Sequence, residues 1–108
     1  MAADMEEVGS SAAKAIEVLK RHATVLAPFL FGSHVEGTAG PDSDVDLAVF
    51  IEGEERWDVR QSTRLTVLVQ REAGYDIELH FFPASALKHP EPASFAAYVL
   101  RHGIKITR

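Results

Sequence analysis

Gly32-Ser33-His34-Val35-Glu36-Gly37-Thr38-Ala39-Gly40-Pro41-Asp42-Ser43-Asp44-Val45-Asp46-Leu47 is the stretch on which the reading of this chain turns. An apolar run from Val25 to Phe31 leads into it, a glycine-serine turn breaks that run, and Asp44 and Asp46 open the next apolar run, Val45 to Ile51. Runs of this length, bounded by turn residues and rich in β-branched side chains, predict two buried strands. Three glycines and Pro41 between Gly32 and Ser43 predict a turn, with one helical turn opening at Ser33. On a strand, residues i and i+2 share a face, so Asp44 and Asp46 should project together while Val45 and Leu47 enter the core.

Working outward, Ala12, Ala15, Ile16 and Leu19 recur at helical spacing behind Ser10 and Ser11, which predicts a first helix from about Ser11 to His22. Residues 1–10 read as an acidic leader that frays. Pro28 cannot donate to a ladder, so the regular part of the first strand is expected to begin near it. Past Gly53, apolar positions at Trp57, Leu65, Leu68 and Val69 predict one long helix over 54–73, stopped by Gly74. Tyr75, Ile77, Leu79 and Phe81 then alternate with Asp76, Glu78 and His80, the pattern of a strand over 75–82 with one polar face. A helical turn between Pro83 and Pro90, a last helix over 94–102, a cap at Gly103 and a brief strand at 104–106 complete the order. The expected fold is α+β: a small mixed β-sheet with helices packed on one face, in a single domain spanning 1–108.

Composition narrows the function. The chain has 108 residues, 46% hydrophobic and 25% charged, which is ordinary globular usage. It has no cysteine, which excludes disulfides, zinc-thiolate sites and thiol catalysis. A formal charge of -5 has the wrong sign for non-specific nucleic-acid binding over a broad surface. No signal peptide or membrane-spanning run is visible, and a cytoplasmic location is expected. The five histidines show no pairing at zinc spacing.

Two converging carboxylates are hard oxygen ligands suited to Mg²⁺, which keeps waters and takes phosphate oxygens as further ligands. A third carboxylate from a neighbouring strand would complete a two-metal site, and the polar face at Asp76, Glu78 and His80 is the other strand able to supply one. His80 reads as a polar-face or partner-contact residue, because magnesium prefers oxygen. Trp57, Phe81 and Phe82 read as core or interface. Gly32 permits close backbone approach, and N–H groups at a helix start with the Ser33 hydroxyl suit an anionic phosphate.

Gly32-Ser33, ten residues, then Asp44-Val45-Asp46, with Ser43 before the first aspartate and Gly37 within the loop, resembles the signature of the minimal nucleotidyltransferases of the DNA polymerase β superfamily. The likeness runs on to Leu100-Arg101-His102-Gly103-Ile104, similar to the closing helix and strand of those proteins. The resemblance implies transfer of a nucleoside monophosphate, usually AMP from ATP, to a hydroxyl. It implies Asp44 and Asp46 as metal ligands, Asp76 as the third, with Glu78 in reserve, and Gly32 and Ser33 at the β and γ phosphates. Asp76 would also help deprotonate the acceptor. Small members of this kind resemble antitoxins whose partner is a helical HEPN-type ribonuclease toxin, and the short chain implies that the partner supplies the acceptor. One position departs from the pattern: many members carry a basic residue just before the second glycine, where Glu36 stands here. That departure motivates a second expectation, a non-catalytic protein of the same fold acting by occlusion. A third is transfer to a small molecule such as an aminoglycoside.

Overall fold

The structure is a computed structural model and describes residues 5–107. Four strands form one sheet in the order β3-β2-β1-β4: β1 is Val25–Phe31, β2 is Val45–Ile51, β3 is Ile77–Pro83 and β4 is Ile104–Lys105. β1 runs antiparallel to both β2 and β4, whereas β2 and β3 are parallel. A parallel pair needs a crossover that brings the chain back to its starting edge. Helix α3, Val59–Ala73, is the regular part of that crossover.

The sheet is covered on both faces. Alternation along β2 sends Val45, Leu47, Val49 and Ile51 towards α1 (Met5–Lys20) and α3, where they meet Ala12, Ala15, Leu19, Leu65 and Val69. The intervening Ala48 and Phe50 point the other way, into a second cluster with Ala27, Phe29, Phe31, Ala96 and Val99. That second face is closed by α4, Ala84–Lys88, and α5, Phe95–His102. The two longer helices therefore share one face and the shorter pair occupies the other, so the helices do not all lie on one face as the sequence reading expects. Phe50 is fully buried there, stacked on Phe82 with ring centres 5.1 Å apart and meeting the edge of Phe29 at 5.8 Å.

Three boundaries differ from the sequence reading, each for a local reason. α1 begins at Met5 rather than Ser11, so the expected frayed leader is helical over 5–10, and residues 1–4 lie outside the described residues. Val8 is buried one turn ahead of Ala12 on the same face, and that contact carries the helix back through Gly9. The long helix expected over 54–73 is broken: Glu54–Arg56 forms a 3₁₀ turn, Trp57 is extended, and Asp58 caps α3. Trp57 thereby packs against Phe81 with ring centres 5.4 Å apart. β3 starts at Ile77, leaving Tyr75 and Asp76 in the preceding turn. Pro28 sits inside β1 opposite Val49, two residues after a bulge, and its carbonyl accepts from the Ile106 N–H at 2.9 Å.

The Asp58 cap is quantifiable. Its carboxylate accepts from the Gln61 N–H at 2.9 Å, satisfying one of the donors that a helix start leaves unpaired. Asp58→Ala is expected to lower unfolding stability by about 1 kcal/mol in urea denaturation. A loss near zero would show that the cap contributes nothing.

Candidate active site

Where β2 begins, two ladders bring the site together. Asp46 is opposite Phe31 on β1 and beside Glu78 on β3, so the register alone sets Asp46 between the end of one strand and an acid of the other. Gly32 follows Phe31 with φ 82° and ψ -153°, a conformation that is essentially glycine-only. A Cβ on Gly32 would collide with the Asp46 carboxylate. The turn thus closes directly over the acid. Ser33–Glu36 then forms the single helical turn α2, whose Val35 and Glu36 N–H groups donate to the Gly32 carbonyl.

Asp46, Glu78 and His80 each place a ligand atom within 4.8 Å of the other two. His80 Nε2 is 3.4 Å from Asp46 Oδ1 and 3.8 Å from Glu78 Oε1. Two carboxylates and an imidazole, with a glycine in place of any side chain above them, form a donor set that fits a divalent cation. Asp44 stands exposed just before β2 and is not one of these three. Of the two candidates for the third acid, Glu78 is the one that reaches Asp46. Asp76 precedes the strand, and its carboxylate folds against Gly74, 2.7 Å from where a Cβ there would sit. It lines a separate cavity of about 260 Å³ with Glu7, Val8, Ser11 and His34, on the α1 side of the β2 entrance.

The loop is braced from within. His34 is buried, and its Nε2 lies 3.3 Å from the Ser43 carbonyl, which can only accept, so that nitrogen carries the proton. The Ser43 hydroxyl in turn accepts from the Gly40 N–H at 2.9 Å. His34 therefore ties α2 to the end of the loop.

A profile of the family described as polymerase beta nucleotidyltransferase matches residues 13–107. The chain belongs to that family. A solved structure from Sulfolobus solfataricus, provisionally assigned as a nucleotidyltransferase, is similar over 78% of this chain and 73% of its own, with a TM-score of 0.59 and 15% identity. At that identity the likeness concerns the fold. No curated protein matches the chain by sequence. Among the described residues, no helix is long and apolar enough to cross a membrane.

Within this polymerase beta nucleotidyltransferase domain, two features rest on contacts between distant elements. His80 is gripped by the rings of Phe31 and Phe95, with centres 5.1 and 5.4 Å away and both edge-on, so its position depends on residues far off in the chain. Glu36, just before the second glycine of the loop, is engaged by α5: the Tyr98 hydroxyl donates to its carboxylate. The alternating polar face at 76–80 signalled the first, but nothing in the sequence pairs Tyr98 with Glu36.

The Tyr98 contact carries a pH signature. The hydrogen bond to Glu36, then burial, then the negative charge of Glu36 hold the phenol above its ordinary value of 10.0. A raised value in the folded chain means that the contribution is fully present below about pH 10 and is lost as pH climbs through the folded value. In an alkaline absorbance titration the Tyr98 signal is expected to move to lower pH in Glu36→Gln. An unchanged curve would rule out the contact.

Proposed function

We propose that this chain is a divalent-metal-dependent nucleotidyltransferase that moves AMP from ATP to a hydroxyl on a partner protein, as the antitoxin of a module whose toxin is a helical HEPN-type protein. The observation that carries the catalytic part is the pairing of Asp46 with Glu78 on adjacent parallel strands beneath Gly32. The partner and the acceptor rest on the resemblance of the Gly32-to-Asp46 signature to minimal nucleotidyltransferases.

Asp46 and Glu78 are the fixed carboxylates of the site, Asp44 at the strand entrance joins them as a ligand, and Glu78 takes the part the sequence suggested for Asp76. When bound there, a divalent ion such as Mg²⁺ offsets the negative charge of the triphosphate and of the attacking and leaving oxygens. Gly32 leaves room for the β and γ phosphates close to the backbone, and the Ser33 hydroxyl donates to them. The acceptor hydroxyl oxygen bonds to the α-phosphorus, the bond to the bridging oxygen of the β-phosphate breaks, and pyrophosphate leaves with that electron pair. The Glu78 carboxylate receives the acceptor's proton. Tyr98 holds Glu36 against α5, which fixes where that anion stands relative to the phosphates.

The test is incubation of the protein with α-labelled ATP, a divalent salt and the helical protein encoded beside it. Label on the partner that disappears with Asp46→Asn supports the reading. Neutralisation of the partner that survives Asp46→Asn without label would replace it by occlusion, the reading that Glu36 favours.

A further inference from the structure

Resting on the reading of this site as a metal centre, we propose that His80 is itself a metal ligand and that it makes the site prefer Mn²⁺ to Mg²⁺. The placement is the first argument. A hydrogen bond between an imidazole and a carboxylate in which either is charged is about 2.7–2.9 Å long. His80 Nε2 makes only a long hydrogen bond to Asp46 Oδ1 at 3.4 Å and stands 3.8 Å from Glu78, so it lies near both carboxylates without a short bond to either. Ligand atoms held about 2.1 Å from one ion at right angles are about 3 Å apart, so slight closure of these three side chains brings them onto one cation.

The second argument is rigidity. Phe31 and Phe95 meet the imidazole edge-on, and its neighbour across the β2–β3 ladder is Ala48, whose small side chain leaves the ring its place. A ring held between two others has lost its freedom before any ion arrives, so little ordering remains to oppose binding. Among the described residues, this is the one group of three acidic or histidine side chains spaced to hold a metal.

The third argument is ligand chemistry. Mg²⁺ demands oxygen and dehydrates reluctantly, whereas first-row transition ions accept imidazole readily, and Mn²⁺ is at home with carboxylates and water besides. An imidazole nitrogen among the carboxylates therefore discriminates against Mg²⁺ in a way that an all-carboxylate site does not.

The experiment is Mn²⁺ binding to the full chain, followed by the electron paramagnetic resonance signal of free Mn²⁺, with and without a non-hydrolysable ATP analogue. Mg²⁺ affinity is read by competition. Wild type is compared with His80→Phe, which keeps a ring against Phe31 and Phe95, and with His80→Asn and Asp46→Asn, with folding checked by circular dichroism. The expected result is an imidazole ¹⁴N coupling on bound Mn²⁺ that vanishes in both His80 variants. Mn²⁺ affinity is expected to fall about 10- to 100-fold in them, with Mg²⁺ affinity within about twofold. Mn²⁺ that binds, is lost in Asp46→Asn, and shows no ¹⁴N coupling overturns the role of His80 alone. So does an equal loss of both ions. No Mn²⁺ bound to wild type, with or without nucleotide, or Mn²⁺ retained in Asp46→Asn, overturns the metal-site reading together with this inference.

Discussion

Asp46→Asn is expected to reduce nucleotidyl transfer by about 10³-fold or more, roughly 4 kcal/mol of transition-state stabilisation, with almost no change in thermal stability. The two expectations come from different sides of the same residue. Its backbone sits in the middle of the sheet, between Phe31 and Glu78, and asparagine has the same shape, so the ladders persist. Its side chain, by contrast, reaches His80 only across 3.4 Å, so folding gains little from the charge. What the substitution removes is the anion that shares a small volume with Glu78 and His80. Label transfer from ATP, measured beside a melting curve, checks both. A variant that transfers at the wild-type rate would remove Asp46 from the chemistry, and one that unfolds early would make it a structural residue.

Gly32→Ala is expected to be nearly as damaging to activity and, unlike Asp46→Asn, to destabilise as well. A backbone at φ 82° and ψ -153° lies where an L side chain costs about 1–3 kcal/mol. The added methyl group would also occupy the position of the Asp46 carboxylate, so either that carboxylate or the turn must shift. A displacement of about 1 Å at a reacting group is enough for about a 10²-fold loss. Gly37→Ala is the control: its φ is 80°, also left-handed, but a Cβ there meets nothing within 4 Å. It should lose about 1–2 kcal/mol of stability and keep its activity. Equal loss of activity in the two variants, with both folded, would show that the close approach to Asp46 has no catalytic consequence.

Much of this is legible in the sequence because it is local. The apolar runs on either side of Gly32 to Ser43 are strands, Gly74 ends α3 with its N–H on the Gln70 carbonyl, and Ser94 caps α5 through the Ala97 N–H. The identity of the third acid is not local. Asp76, Glu78 and His80 alternate on one face of an extended chain, and only the pairing of β3 with β2 says which of them stands beside Asp46. That pairing is fixed by where the turn at 74–76 ends, a matter of how α3 lies on the sheet. His80 looked like an ordinary polar-face residue for the same reason: Phe31 and Phe95, which aim its ring, come from β1 and α5. The early start of α1 was written in the spacing of Val8 and Ala12, but Gly9 between them reads as leader, and Ser10 and Ser11 read as caps of a later start.

The parallel pairing of β2 with β3 gives the turn before β3 the standing of a ruler. Asp46 and Glu78 are each the second residue of their strand, so they meet because both strands are counted from the same end. A β3 paired one residue out of step with β2 would turn its acid and imidazole to the wrong side and bury their neighbours in reverse. Every residue of the site would still be present in such a chain, yet the site would have been erased by arithmetic.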